Sequence, residues 1–328
     1  MTDAGVGGPE SRDGDSVPIR IDRASRGAVA GPVAWAMVAN RRIWAWDRDA
    51  GLVRLTGVED AQPFLQFDCL SPDGRYLYRT HEIWDDAPNV YEIATGQWLP
   101  NPPWDGDHLL VGSYPPAPSA QRLDVYRYKR RGNPPEYLSG LYLVHRGDDV
   151  IELPLDGPFG FSRDGVPMQF SPSGRHVAIT HLRQGRTGHV LDTSVVTIAT
   201  GEVSAFEGVG VATCGTWNPS ETRVLLSAIK DHQPNVVELA TGATRPLKDL
   251  ITEDEDWLYA GTQVGGWIDD KRVLMAGEFG RRIIIATLDV DTGERFDLLD
   301  IPRPTGEYHG IRLAPAVVQA DPTLVGPR

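Results

Sequence analysis

The chain has 328 residues, of which 35 are Gly and 26 are Pro. These helix breakers make up about 19 % of it, against roughly 12 % in an average protein, which argues against a helical bundle and against a doubly wound α/β enzyme with long crossover helices. The formal net charge is −13, from 32 basic and 45 acidic residues, so binding of nucleic acid would need a local basic patch.

Met1 to Ser16 is polar, with neither a basic n-region nor an apolar h-region, and reads as a tail (residues 1–16) rather than a secretory signal. No apolar run approaches the roughly 20 residues that span a bilayer. The two cysteines, Cys69 and Cys214, make neither a disulfide framework nor a zinc site. The expectation is a cytoplasmic chain without membrane contact. It has one domain over 17–318 and a C-terminal tail over 319–328.

That domain is built from a repeat. A strand is expected over 17–21, then a first unit over about 28–56, with Trp44 to Gly51 as its third strand and turn. The second unit, about 64–100, carries Ser71-Pro72-Asp73-Gly74 between two apolar stretches. Pro sets φ at the second turn position and the Ser or Asp side chain bonds back to the backbone, so this is a hairpin. Further on, Val90-Tyr91-Glu92-Ile93 alternates like a half-buried strand and ends in Thr95-Gly96, a tight turn in which Gly takes positive φ. The third unit, about 107–155, is irregular. The fourth, about 166–206, repeats the turns as Ser171-Pro172-Ser173-Gly174 and Thr200-Gly201. The fifth, about 212–247, has Asn218-Pro219-Ser220-Glu221 and Thr241-Gly242, and the sixth, about 262–300, has Asp269-Asp270-Lys271-Arg272 and Thr292-Gly293. Four antiparallel strands in about 40 residues make a propeller blade. The expected fold is all-β, a β-propeller of four-stranded antiparallel blades. Six blades are favoured, or seven if the termini and residues 101–160 hide another. Tyr308 to Val318 would close the ring with the strand over 17–21.

The aromatic-Ser-Pro-Asp-Gly and Thr-Gly turns, clearest in the second and fourth units, resemble the TolB-type, WD40-like propeller repeat of bacterial proteins. The resemblance covers about 64–300 and implies the propeller fold. It implies no particular activity, because such propellers host binding, scaffolding and catalysis alike. The related periplasmic proteins carry a signal peptide, and this N-terminal segment does not read as one.

In a blade of strands A to D, the A–B and C–D turns share one face, and the B–C and D–A loops share the other. The second face gathers the unusual residues. His81 and His181 stand in equivalent Thr-His pairs, the first followed by Trp84-Asp85-Asp86. Asp231-His232 falls in the fifth unit, Glu278 in the sixth, and Asp254, Asp256 and Trp257 just before the sixth. These residues suggest an acidic, aromatic mouth, with Trp84, Asp85, Asp86, Asp231, Asp254, Asp256, Trp257 and Glu278 as ligand-binding candidates. His81, His181 and His232 are the candidate acid–base groups. The competing reading is that the charged loops are merely solvated and that Thr-His fills a repeated slot.

Other motifs carry less. Asp289-x-Asp291-x-Gly293 resembles the start of a calcium loop, but Asp300 stands where a bidentate Glu belongs, and a structural turn is expected. Gly112-Ser113-Tyr114 is not a nucleophile elbow. Arg122 to Arg131 interleaves cations with aromatics, a composition that suits phosphate or single strands but equally an amphipathic strand, which the acidic chain favours. No metal, cofactor or nucleic acid is expected. The favoured function is a monomeric binding module whose B–C/D–A face takes a protein partner or a cationic small ligand. The alternative is a channel-mouth enzyme of lyase, hydrolase or cyclase type using His and carboxylate chemistry.

Overall fold

Apolar–polar alternation and turn chemistry carry over strand by strand into the structure. The computed structural model describes residues 25–27, 29, 33–39, 42–47, 50–55, 69–71, 74–78, 90–99, 109–114, 121–129, 137–146, 148–155, 168–185, 188–211, 215–228, 234–251, 263–302 and 312–315. Among these the strands form six sheets. The second sheet holds β5 (Cys69–Leu70), β6 (Tyr76–Tyr78), β7 (Val90–Glu92) and β8 (Gln97–Leu99). The third holds β9 (Leu109–Tyr114), β10 (Gln121–Lys129), β11 (Tyr137–Arg146) and β12 (Asp149–Glu152). The fourth holds β13 (Met168–Phe170), β14 (His176–Gly185), β15 (Gly188–Thr197) and β16 (Glu202–Glu207). The fifth holds β17 (Val209–Val211), β18 (Arg223–Ala228), β19 (Pro234–Glu238) and β20 (Thr244–Pro246). The sixth holds β21 (Gln263–Trp267), β22 (Arg272–Phe279), β23 (Arg282–Asp289) and β24 (Arg295–Pro302). The described residues contain no α-helix, only a 3-10 turn at Leu247–Leu250.

Five sheets thus have the uniform four-stranded antiparallel form, not six or seven. The first sheet departs from it. It holds β1 (Ser25–Gly27), β2 (Trp35–Ala39), β3 (Arg42–Asp47) and β4 (Gly51–Leu55), and it takes in β25 (Arg312–Pro315). Its order is β1-β4-β3-β2-β25. The reason is edge chemistry: an open ring leaves unpaired strand edges, and the first and last described strands cover them. β25 pairs antiparallel with β2 (Trp35↔Pro315), whereas β1 lies parallel on the far side of β4 (Ser25↔Val53). The two terminal strands therefore do not pair with each other, and the strand expected over 17–21 lies outside the described residues.

Apolar clusters fill the seams between consecutive sheets. Val53 and Leu55 pack with Leu77, Tyr91 and Ile93 between the first and second. Tyr142 and Val144 meet Val177 and Ile179 between the third and fourth. Trp217 and Val224 meet Ala178 and Val195 between the fourth and fifth. Trp267 lies with Leu225 between the fifth and sixth, and Trp35 with Leu274 between the sixth and first. Trp267 ends β21, and Trp217, bridged to Val224, stands just before the A–B turn of blade five; both are fully buried, and side chains of this size dominate core energetics.

The turns lie on one face, as expected. Asn218 Oδ1 accepts the N–H groups of Thr222 and Arg223, and Ser71 Oγ accepts those of Arg75 and Tyr76. The C–D turns close on left-handed glycines, Gly96 (φ 67), Gly201 (φ 70), Gly242 (φ 70) and Gly293 (φ 77). Four blades then tie one turn to the other. Ile93, Ile198, Leu239 and Val290 donate their N–H to the carbonyls of Arg75, Arg175, Thr222 and Lys271 at 2.8–3.0 Å.

Carboxylates also latch neighbouring blades on this face. Ser173 N–H donates to Glu221 Oε1 at 2.5 Å, and its repeat equivalent Ser220 N–H donates to Asp270 Oδ1 at 2.7 Å. Arg223 joins Glu238 of its own blade to Asp291 of the next. Around Glu221 stand Arg175 at 3.4 Å and His176 at 3.9 Å, the imidazole stacked on Trp217. Burial pushes the His176 pKa below its ordinary 6.5; the Glu221 carboxylate pulls it back and Arg175 pushes it further down. The unfolded chain therefore takes up the proton first. The stabilisation is full above pH 6.5 and is lost as pH falls from there toward the folded-state value. Between about pH 8 and pH 5.5 the urea midpoint should fall further for wild type than for His176→Gln. Equal declines would mean the ring has no such role.

Candidate functional site

On the face opposite the turns, the described B and C strands differ in length from blade to blade. In blade four both β14 and β15 have 10 residues. In blade three β10 has 9 residues and β11 has 10. The B and C strands of the other blades have 3 to 8 residues. The blade-four ladder is unbroken from His176↔Thr197 at the turn face to Gly185↔Gly188 at its tip, and each added pair extends it by about 3.3 Å. Among the described residues the two longest B–C strand pairs belong to neighbouring blades.

His181 lies midway up the blade-four hairpin. Its Nε2 is 2.8 Å from Ser194 Oγ. Asp192 is its cross-strand partner. Ser194 and Asp192 are buried, while the His181 side chain is partly open. Strand alternation puts His181, Asp192 and Ser194 on the side of Val177 and Ile179, which faces blade three. On the other side Thr180 and Thr193 stitch β17 of blade five to blade four. Thr180 Oγ1 accepts Val211 N–H at 2.7 Å, and Thr193 Oγ1 donates to the Val209 carbonyl at 2.9 Å. Asp192 Oδ1 adds a third stitch by accepting Gly208 N–H at 3.0 Å. The result is a rigidly held imidazole beside a hydroxyl and a carboxylate. It can exchange protons or bind a polar group; Ser194 is too deeply buried to act as a nucleophile. Ser194→Ala removes the hydroxyl that holds the ring and should cost about 1 kcal/mol in urea unfolding. No change would show that the contact contributes nothing.

Thr-His was legible in the sequence, but Asp192, Thr193 and Ser194 were not singled out. Their signal is a polar triplet inside an otherwise β-branched strand. Glu278 lies on β22 in blade six, partly buried, and no described contact brings it to His181. His81, His232, Trp84, Asp85, Asp86, Asp231, Asp254, Asp256 and Trp257 lie outside the described residues, as does Cys214. Cys69 is in β5, at one edge of the second sheet. Asp289 serves its turn: Oδ1 accepts the N–H groups of Asp291 and Thr292. Burial raises its pKa, but these donors and nearby Lys271 hold it below the usual value. The basic-aromatic stretch through Lys129 is β10, paired with β11 along its length and with β9 over Leu123–Arg127.

Among solved structures the chain is similar to TolB from Acinetobacter baumannii. The match has 14 % identity over 88 % of this chain and 68 % of that one, with a TM-score of 0.50. The fold is that of a TolB-type propeller. A TolB-type structure from Agrobacterium tumefaciens matches over 86 % of this chain and 98 % of its own at 14 % identity and a TM-score of 0.42. Oligogalacturonate lyase from Vibrio parahaemolyticus matches over 84 % and 75 % at 11 % identity, also with a TM-score of 0.42. No family model matches the chain, and no curated protein sequence matches it. Likeness at these identities speaks for fold and not for activity.

Proposed function

We propose that this TolB-type propeller is a monomeric binding module that takes a protein partner on the face bearing the B–C and D–A loops. One observation carries the reading. The turn face is closed by recurring hydrogen bonds, whereas the opposite face bears, among the described residues, the two longest B–C strand pairs side by side. Elements projecting from a rigid scaffold are the usual place for recognition. The acidic residues expected toward blade six, Asp254 and Asp256 among them, suit a basic segment of that partner. The test is quantitative capture from native lysate by wild type and by a variant in which residues 183–190 are replaced by Asn-Gly. A stoichiometric partner should be lost with the hairpin. Its retention would overturn the placement on this face.

The enzyme reading has its own support, the 2.8 Å contact of His181 with Ser194 beside Asp192. On that reading a metabolite screen finds a turnover that His181→Gln lowers about 100-fold or more. A turnover unaffected by His181→Gln would remove the imidazole from the chemistry.

A further inference from the structure

We infer that the seam between the long B–C strand pairs of blades three and four is a docking surface for an acidic, extended polypeptide segment. The inference rests on the binding-module reading above and specifies where that face is cationic. Tyr142 and Val144 contact Val177 and Ile179 across the seam, which fixes the facing sides of the two sheets. Val125 pairs with Tyr142, and Arg127, two positions on, pairs with Gly140. Arg127 therefore holds a register position on the side of sheet three that faces blade four. In blade four, Arg183 follows Ile179 and His181 at the same alternation and pairs with Val190, on the side that faces blade three. Beyond the apolar part of the seam, then, each sheet presents a cationic position to the other, and Lys129 lies at the end of β10.

The surrounding sequence agrees. Residues 127–137 contain Arg127, Lys129, Arg130 and Arg131 against the single acid Glu136, and residues 181–190 contain Arg183 and Arg186 with no acid. In a chain of net charge −13 this is a local inversion of sign in the sequence around β10 and β14. Arg127 and Lys129 stand two positions apart on β10 and Arg183 stands on β14, a spread along two ladders that fits an extended ligand better than a compact anion. A long nucleic acid draws its affinity from many phosphates at once and meets the repulsion of the rest of the chain. A polypeptide segment with a few carboxylates does not need that many contacts. Screening limits each attraction to about 10 Å at 0.1 M salt, so the carboxylates must lie against the hairpins.

The test is fluorescence anisotropy with labelled deca-glutamate, with deca-lysine, decathymidylate and inorganic phosphate as the other arms. Wild type should bind deca-glutamate, more weakly by about tenfold when salt rises from about 50 to about 300 mM. The triple variant Arg127→Ser, Lys129→Ser, Arg183→Ser should lose at least tenfold in affinity while keeping its urea midpoint. Arg127→Lys with Arg183→Lys should keep the affinity. Undiminished binding by a folded triple variant overturns the inference. Tighter binding of deca-lysine or decathymidylate, or displacement of the peptide by inorganic phosphate, overturns the choice of ligand. The two readings fail separately. If the lysate partner is lost with residues 183–190 but fully kept by the triple variant, the binding module stands and the cationic seam does not.

Discussion

Replacing Gly74 by alanine is expected to destabilise the propeller by about 3 kcal/mol or more, close to the limit seen for single substitutions. Gly74 has φ 71, and a Cβ there would stand 2.2 Å from the Val33 carbonyl oxygen and 3.0 Å from Val33 N. That distance is short because the two backbones are bonded: Val33 N–H donates to the Gly74 carbonyl at 3.0 Å, joining the first sheet to the second. Alanine would have to break this bond or move a blade. Gly242 is the control. Its φ is 70, and a Cβ there would meet nothing within 4 Å. Gly242→Ala should therefore cost only the left-handed backbone term of about 1–2 kcal/mol. Urea unfolding of both variants separates backbone strain from blade contact. Equal losses would mean that the close approach to Val33 does not matter.

Glu221 should give the opposite lesson. It is the one non-glycine residue with positive φ among those described, at 58°, and it stands where Gly74 and Gly174 stand in the sister turns. Glycine there would relieve about 1 kcal/mol of strain. The chain instead keeps a carboxylate that is 4 % exposed and accepts the Ser173 N–H. A hydrogen bond to a charged group contributes about 1.5–3 kcal/mol. Glu221→Ala keeps the strain and loses the latch, so it should cost about 1.5–3 kcal/mol. Glu221→Gly should lie about 1 kcal/mol nearer wild type, and Glu221→Gln should retain part of the latch. Urea midpoints of the three variants rank the two effects. A glycine variant more stable than wild type would show that strain outweighs latch.

What could be read from the sequence was set by local chemistry. Ser71, Ser171 and Asn218 each bond back across their turn, so the A–B turns announced themselves wherever such a residue preceded a proline. Blade boundaries followed from those turns. The makeup of the first sheet did not, because β1 and β25 are short and their pairing is decided by which edges remain open when the ring closes. The left-handed backbone of Glu221 was equally hidden, since Asn218-Pro219-Ser220-Glu221 reads as a plain turn and φ has no signature in a glutamate. At the site, the Thr-His pair marked His181. Its companions Asp192 and Ser194 belong to the next strand and come alongside only through the β14–β15 register.

The pairing of β25 with β2 has a consequence for synthesis. A chain growing from its N-terminus completes β2 to β4 early, yet the strand that covers the β2 edge of that sheet is the last of the described strands, about 270 residues further on. At synthesis rates of about 5–20 residues per second the edge stays open for roughly tens of seconds, while blades two to six can form in turn. During that time the first sheet can pair wrongly with any exposed strand. The ring is therefore most at risk of misassembly while it is being made, and closure by Arg312–Pro315 ends that risk.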